Sequence, residues 1–462
     1  MPDNSDRDAD NFGELDPEDE MRDMLRDFLA GNSDIDPEKL AGFAGLGNDP
    51  ALVARLMSQL QNALKSNDEG INWDISLEQA KNVADKDRVP SLPAERSALE
   101  QSFHVAALWL DEATFVSELS SSPKLVSRTE WVSATMPIWT QLAEPVATSI
   151  ADALTRVIQE QASDDMSQMM SGASKLMRNV GGALFAMQLG QVVGHLSTEV
   201  VSGGDVGIPL LGSESSAGGA EADLQAVIIP QNLVAFGKGI DVDPDQVQLY
   251  LAVRELAHAR LFRHARWLRL QMLTAIKEIS QGLTIDTGRL QELAESFDPS
   301  NPESLQQAMS AGELLAPKTD QQNAALARLE TTLALIEGWV DVVTAEATKR
   351  LPKSQAIAET VRRRRASGGP AESAFATLIG LELRPRRLRE AAALWQQLTD
   401  EVGAERRDSL WSHPDLVPTG DDIDDPTILI AKLSNPEPEL DDIDRAIEDL
   451  LNDDSDDRPT EE

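Results

Sequence analysis

The best strand candidate in this chain, Ala226-Val227-Ile228-Ile229, stands almost alone. Three of its four residues are β-branched, and Pro230 ends it. Wherever else a period can be read, the period is helical. The chain can therefore bury its apolar residues only as a mainly α fold with little β structure. At 462 residues, 41% of them hydrophobic, it is long enough for a sizeable core. Helices are expected over 71–87, 94–119 and 127–142. One or two long helices follow over 144–201, with a break near Gly181-Gly182. A short helix is expected at 231–236. Asp243-Pro244 then supplies an N-cap and a first-turn proline for a helix running to about residue 270. Further helices are read at 303–314, 319–350 and on to about 402, with 403–426 irregular and one more short helix at 441–451.

Charge divides the chain further. The formal net charge is −38, and residues 1–36 and 420–462 together carry most of it. The layout expected is an acidic, largely disordered tail over 1–36, a small helical region over 37–93, a main helical domain over 94–426 and a second acidic tail from 427. So acidic a chain lacks the basic footprint that nucleic acid or anionic lipid requires, so neither is expected as a partner. The chain has no cysteine, which excludes disulfides, Cys-ligated zinc and a thiol nucleophile, and fits a reducing cytosol. No secretory signal pattern opens the chain, and a cytoplasmic location is expected. The uncharged stretch 179–198 holds Asn179, Gln188, Gln191, His195 and several glycines, too polar for a typical span. It reads as a close-packed internal helix, with Gly190 and Gly194 spaced to let another helix approach.

Two stretches carry candidate chemistry. The first is Arg254-Glu255-Leu256-Ala257-His258, inside the helix opened by Asp243-Pro244. It matches HExxH with the first His replaced. In HExxH two His four residues apart lie on one helix face and bind zinc, while the Glu polarises the bound water. Here Glu255 would be the catalytic base and His258 a ligand, but Arg254 has no acceptor and cannot ligate a cation. The second is Leu335-Ile336-Glu337-Gly338-Trp339-Val340-Asp341. Glu337 could be a further ligand from a second helix, and Asp341, one turn later on the same face, an orienting partner. As ordinary residues of an amphipathic helix, both would be solvated carboxylates. His264 lies six residues after His258, about 600° around a continuous helix, and so points away. His195, His104 and His413 complete the short set of replacement ligands, although Trp411-Ser-His-Pro-Asp415 reads equally as a structural turn.

Together these stretches resemble the zincin-like hydrolases of actinobacteria, often named zinc-dependent metalloproteases. The resemblance extends to Met187–Gly194, Asn232–Phe236, Arg260–Leu268, the Trp411–Asp415 turn and Asp424-Asp-Pro426, and spans roughly 95–430. It implies a zincin-like helical core and, where the motif is intact, one zinc held by two His and a Glu. By position it gives Glu255 the base role, and His258 and Glu337 ligand roles. Arg254 departs from the pattern. Two readings follow: a metallohydrolase acting on peptide bonds through a replacement ligand, or a fold that has lost its metal and binds a peptide or protein partner. In the second, Arg254 pairs with Glu337 and neutralises the cluster without zinc. A third reading, nucleic-acid association, rests only on the run Arg362–Arg365, which could instead receive an acidic tail.

Overall fold

The computed structural model describes residues 71–160, 167–208, 225–281, 316–366, 369–382 and 386–434, with 210, 286 and 288. The expected helices at 303–314 and 441–451, the acidic tail over 1–36 and the rest of the chain up to residue 70 lie outside the described residues, as does everything beyond 434; residues 427–434, expected to open the second acidic tail, are helical. The described chain is mainly α. Its helices are α1 (Asp74–Asp85), α2 (Pro93–Asp111), α3 (Arg128–Glu160), α4 (Ser167–Glu199), α5 (Pro230–Gly237), α6 (Pro244–His264), α7 (Arg266–Gln281), α8 (Asp320–Ala347), α9 (Ser354–Ala366), α10 (Pro370–Ile379), α11 (Leu388–Ser409), α12 (Gly420–Asp424) and α13 (Thr427–Ser434). Two short strands, β1 (Lys124–Leu125) and β2 (Val227–Ile228), pair in parallel, Lys124 opposite Val227.

Helix α6 is the axis of the fold. Asp243 caps it, its side chain accepting from the Asp245 amide at 2.9 Å, with Pro244 in the first turn as expected. From Tyr250 to Phe262 every residue is buried, so this stretch of the helix has no solvent face. It packs against α2 and α8. Helix α8 in turn lies close against α11 because Gly338 has no side chain. A Cβ there would sit 2.7 Å from the Ala392 amide nitrogen. The glycine between Glu337 and Trp339 is thus a contact point between helices. Glu337, one position earlier on α8, meets Arg254 and His258 of α6.

Glycines also explain where the helical reading went wrong. Helix α4 runs through Gly181-Gly182 without a break. Gly182 lies beside Ile71, and at Gly190 and Gly194 a Cβ would come within 2.5 Å of the Ser76 carbonyl and 2.6 Å of the Val83 Cβ. These residues admit α1 onto α4, the close contact expected of their spacing. Two prolines, Pro137 and Pro145, are absorbed inside α3, which continues past the expected end at 142. Helix α2 stops at Asp111, short of the expected 119, because buried Asp408 captures the chain beyond it. Thr114 Oγ1 and the Phe115 amide both donate to Asp408, at 2.7 and 2.8 Å. Helix α6 ends at His264, where Ala265 leaves helical geometry (φ −93°, ψ 67°) and α7 begins in a new direction. Residues 403–409, read as irregular, extend α11 across a kink at Gly403 (φ 81°). No helix among the described residues is long and apolar enough to cross a membrane.

Candidate functional site

Arg254 and His258 lie one turn apart on the face of α6 that meets α8. Glu337, on α8, faces them. Its Oε2 accepts from Arg254 Nη2, and its Oε1 lies 3.2 Å from His258 Nε2. Arg365, in the last turn of α9, donates to the same Oε1 at 2.7 Å. One carboxylate therefore serves two guanidinium groups and an imidazole. None of Arg254, Glu255, His258 and Glu337 exposes more than 4% of its surface.

Burial alone would raise the pKa of Glu337. Arg365 and Arg254 outweigh it and hold the carboxyl well below the usual carboxylate range. Burial lowers the pKa of His258, only partly offset by Glu337. The ring is therefore neutral, and both its nitrogens face oxygens: Nε2 faces Glu337 and Nδ1 lies 3.1 Å from the Arg254 carbonyl. A neutral ring donates to only one of them.

Glu255 points elsewhere. One position along the helix turns it about 100° from Arg254, toward the loop and strand that pack on this end of α6. Its Oε1 accepts from the Val227 amide at 2.7 Å and its Oε2 from the Gly204 amide at 2.9 Å. Desolvation raises its pKa to about 7, with these two N–H groups working the other way. Gly204, in a 3-10 turn (Gly203–Val206), joins the two halves of the site. Its N–H serves Glu255, its carbonyl accepts from Arg365 at 2.8 Å, and a Cβ on it would lie 2.5 Å from His258 Nδ1.

Asp341, one turn after Glu337, faces Arg362 rather than a histidine. Arg362 grips it through Nε at 3.1 Å and Nη2 at 2.8 Å. Tyr250 is buried one turn before Arg254, and its hydroxyl has no partner among the described residues. Burial pushes that hydroxyl up to about 12.

The structure thus brings together Arg254, His258 and Glu337, with Glu255 and Asp341 at the edges. It does not bring the other histidines to them. His264 is exposed at the end of α6, and exposed His195 meets Gln191 at 2.8 Å. His104 is exposed on α2. His413 caps the turn Pro414–Leu416, receiving the Asp415 amide at 3.3 Å. Sequence reading missed Arg365, Arg362 and Gly204. The first two belong to the Arg362–Arg365 run, whose members all have partners inside the molecule: Asp341, Glu359, the Glu199 carbonyl and Glu337. Hydrophobic spacing did hold a signal, since α9 must bury Ile357, Ala358 and Val361 and so brings its arginines inward.

A zinc site needs three protein donors converging on one point. Among the described residues no group of three His, Asp or Glu side chains is placed to hold a metal ion. His258 and Glu337 supply two donors, each facing a protein partner, and Arg254 beside them has no acceptor to offer a cation. The residues as arranged do not fit zinc.

Comparison with known proteins places the fold. The family described as zincin-like metallopeptidase matches residues 71–430, most of the chain. The chain belongs to this zincin-like family. A solved structure from Chloroflexus aurantiacus, described as a "putative hydrolase with a novel fold", is similar over 79% of this chain and 99% of its own, with a TM-score of 0.53 and 18% identity. That likeness concerns the fold. No curated protein matches.

Proposed function

We propose that this chain is a zincin-fold hydrolase relative whose metal position is taken by Arg254, and that it works as a binding or scaffold protein for a peptide or protein rather than as a zinc hydrolase. One observation carries the reading: Glu337, the residue that would be a metal ligand, is shared by Arg254 and Arg365. Two fixed positive charges stand where a divalent cation would, so the carboxylate is neutralised without metal. A guanidinium cannot activate water as zinc does, because it offers no open coordination position. Glu255, the residue in the base position, is spent on two backbone amides that anchor the Gly204 turn and β2 to α6. Its role in this reading is structural.

Metal analysis of protein purified without chelators tests this. The expected result is almost no zinc. About one equivalent per chain would overturn the proposal and favour a metallohydrolase that draws a ligand from elsewhere. The companion variant, Arg254→His combined with Arg365→Met, clears both cations from Glu337 and restores the second His. Zinc uptake by this variant, and none by the parent, is the outcome expected of a zincin pocket filled by arginine.

A further inference from the structure

A second site lies away from this cluster, where the chain between α1 and α2 faces the start of α3 and of α5. The walls of an open cleft of about 500 Å³ include Arg88, Arg96, Arg128, Glu130 and Gln231. That is within the usual size of small-ligand sites, roughly 300–1,000 Å³. Three arginines line the cleft in a protein with 79 acids and 41 bases.

The pairing of these arginines is unusual for this molecule. Arg254, Arg260, Arg350, Arg362 and Arg407 each hold a carboxylate directly. Arg96 and Arg128 have no ion-pair partner among the described residues. Arg128 is half-buried and held by neutral acceptors alone. Its Nε donates to Asn232 Oδ1 at 2.7 Å and its Nη2 to the Thr198 carbonyl at 3.4 Å. Asn232 is itself fixed by donating to the Ser197 and Val200 carbonyls, at 2.8 and 2.6 Å. The hydrogen-bond acceptors of Arg128 are neutral and leave Nη1 uncommitted, although the charge of Asp87 acts on it from nearby. Arg96 donates to the Leu125 carbonyl at 3.3 Å, and Arg88 pairs only loosely with Asp85 at 3.5 Å.

Three acids oppose the arginines: Asp85 beside Arg88, Asp87 acting on Arg128, and Glu130 within the field of Arg96 and Arg88. Glu130 spends one oxygen on the Ser127 amide and hydroxyl, at 2.7 and 2.8 Å, as the cap of α3. Asp87 holds a left-handed backbone (φ 55°), and its carbonyl accepts from Gln231 at 2.8 Å, which fixes the wall of the cleft. Val89, on the same lip, leaves 65% of its surface exposed. The cleft thus offers oriented donors with an apolar edge.

We propose that this cleft binds an oxyanion-bearing ligand, a carboxylate or a phosphate, with Arg128 as the central donor and Arg96 and Arg88 closing on it from the rim. The surrounding acidic surface repels anions in general, so an anion that binds must be one whose shape lets it reach these donors. The proposal uses no residue of the α6–α8 cluster and stands or falls apart from the reading of that cluster.

Two probes test it on the full chain: a fluorescein-labelled hexaglutamate peptide, followed by anisotropy, and inorganic phosphate, followed by calorimetry. Saturable binding of either is expected, weakening by about tenfold in Arg128→Gln and in Arg96→Gln, and falling as salt screens the charges. Peptide binding without phosphate binding marks carboxylates as the ligand, and the reverse marks phosphate. Arg96 is exposed, so its variant should fold normally whatever happens at Arg128. Absence of binding by both probes, or binding unchanged in both variants, would overturn the proposal.

Discussion

Replacing Glu337 by Gln tests whether its carboxylate holds this region together. The substitution keeps the shape and one acceptor but removes the charge. The new amide must turn its N–H₂ toward either Arg254 or Arg365, so one guanidinium meets a donor instead of an acceptor. The side chains of Arg254 and Arg365 are 5% and 12% exposed, so neither can reach bulk water without moving the helices. Leaving a buried charge without its partner typically costs about 3–5 kcal/mol. At a urea m-value of about 3 kcal/mol/M, the unfolding midpoint should fall by roughly 1 M or more. Urea titration followed by circular dichroism measures this, and Arg254→Met with the double variant completes a cycle. The double variant should lose at least about 1 kcal/mol less than the two single losses combined. The pH dependence follows from the depressed pKa of Glu337. Its stabilisation is complete above the ordinary carboxylate range and is lost as pH falls below it, so the variant should show a shallower acid limb. A midpoint shift under about 0.3 M, with additive single effects, would refute the shared-carboxylate account.

Three further outcomes are expected. Because Glu255 has its pKa raised from 4.5 to about 7, the folded state loses stability as pH rises through that window, by up to about 3 kcal/mol. Glu255→Gln should flatten that slope in pH-dependent melting, while misplacing one amide against the Gly204 or Val227 N–H. Gly204→Ala would force a methyl against His258 at 2.5 Å, so a loss of roughly 1–3 kcal/mol in thermal unfolding is expected, and an unchanged melting temperature would refute the contact. Asp408→Asn strips the charge from a carboxylate that serves Arg407, Thr114, Phe115 and the Trp339 indole at 2.9 Å. The fully buried Arg407 is left without its counter-ion, and a loss of about 3–5 kcal/mol should appear in unfolding followed by tryptophan fluorescence.

Residues whose role is set by helix geometry were legible in the sequence. Asp243-Pro244 announces the start of α6 through local capping chemistry, and Arg254 and His258 share a face because they are four apart. The pairing of Arg254 with Glu337 belongs to one of two readings left open by the family resemblance, and the two side chains are in contact. What the sequence hid depends on distant partners. Ala265 breaks the helix in Arg-His-Ala-Arg-Trp, a stretch with neither glycine nor proline to mark it. Gly181 and Gly182 look like breakers, yet Gly182 admits a neighbouring side chain inside a continuous helix. Arg365 sat in a run read as a nucleic-acid contact or as a seat for an acidic tail. Only the packing of α9 on α6 and α8 reveals that it belongs to Glu337.

The contacts of the final turn of α9 carry an expectation about how often this region opens. From that turn Arg365 reaches Glu337 and Arg364 the Glu199 carbonyl, and just before it Arg362 holds Asp341. A helix end normally frays at almost no free-energy cost, exchanging its amide hydrogens in seconds. Here each fraying event must detach several charge-assisted contacts together and leave two carboxylates on α8 facing water. Amide exchange in the last turn of α9 should therefore be slow for a helix terminus and should share one opening free energy with the Gly204 turn. Hydrogen exchange would report that energy directly, as the free-energy difference between a sealed cluster and one that a solute can enter.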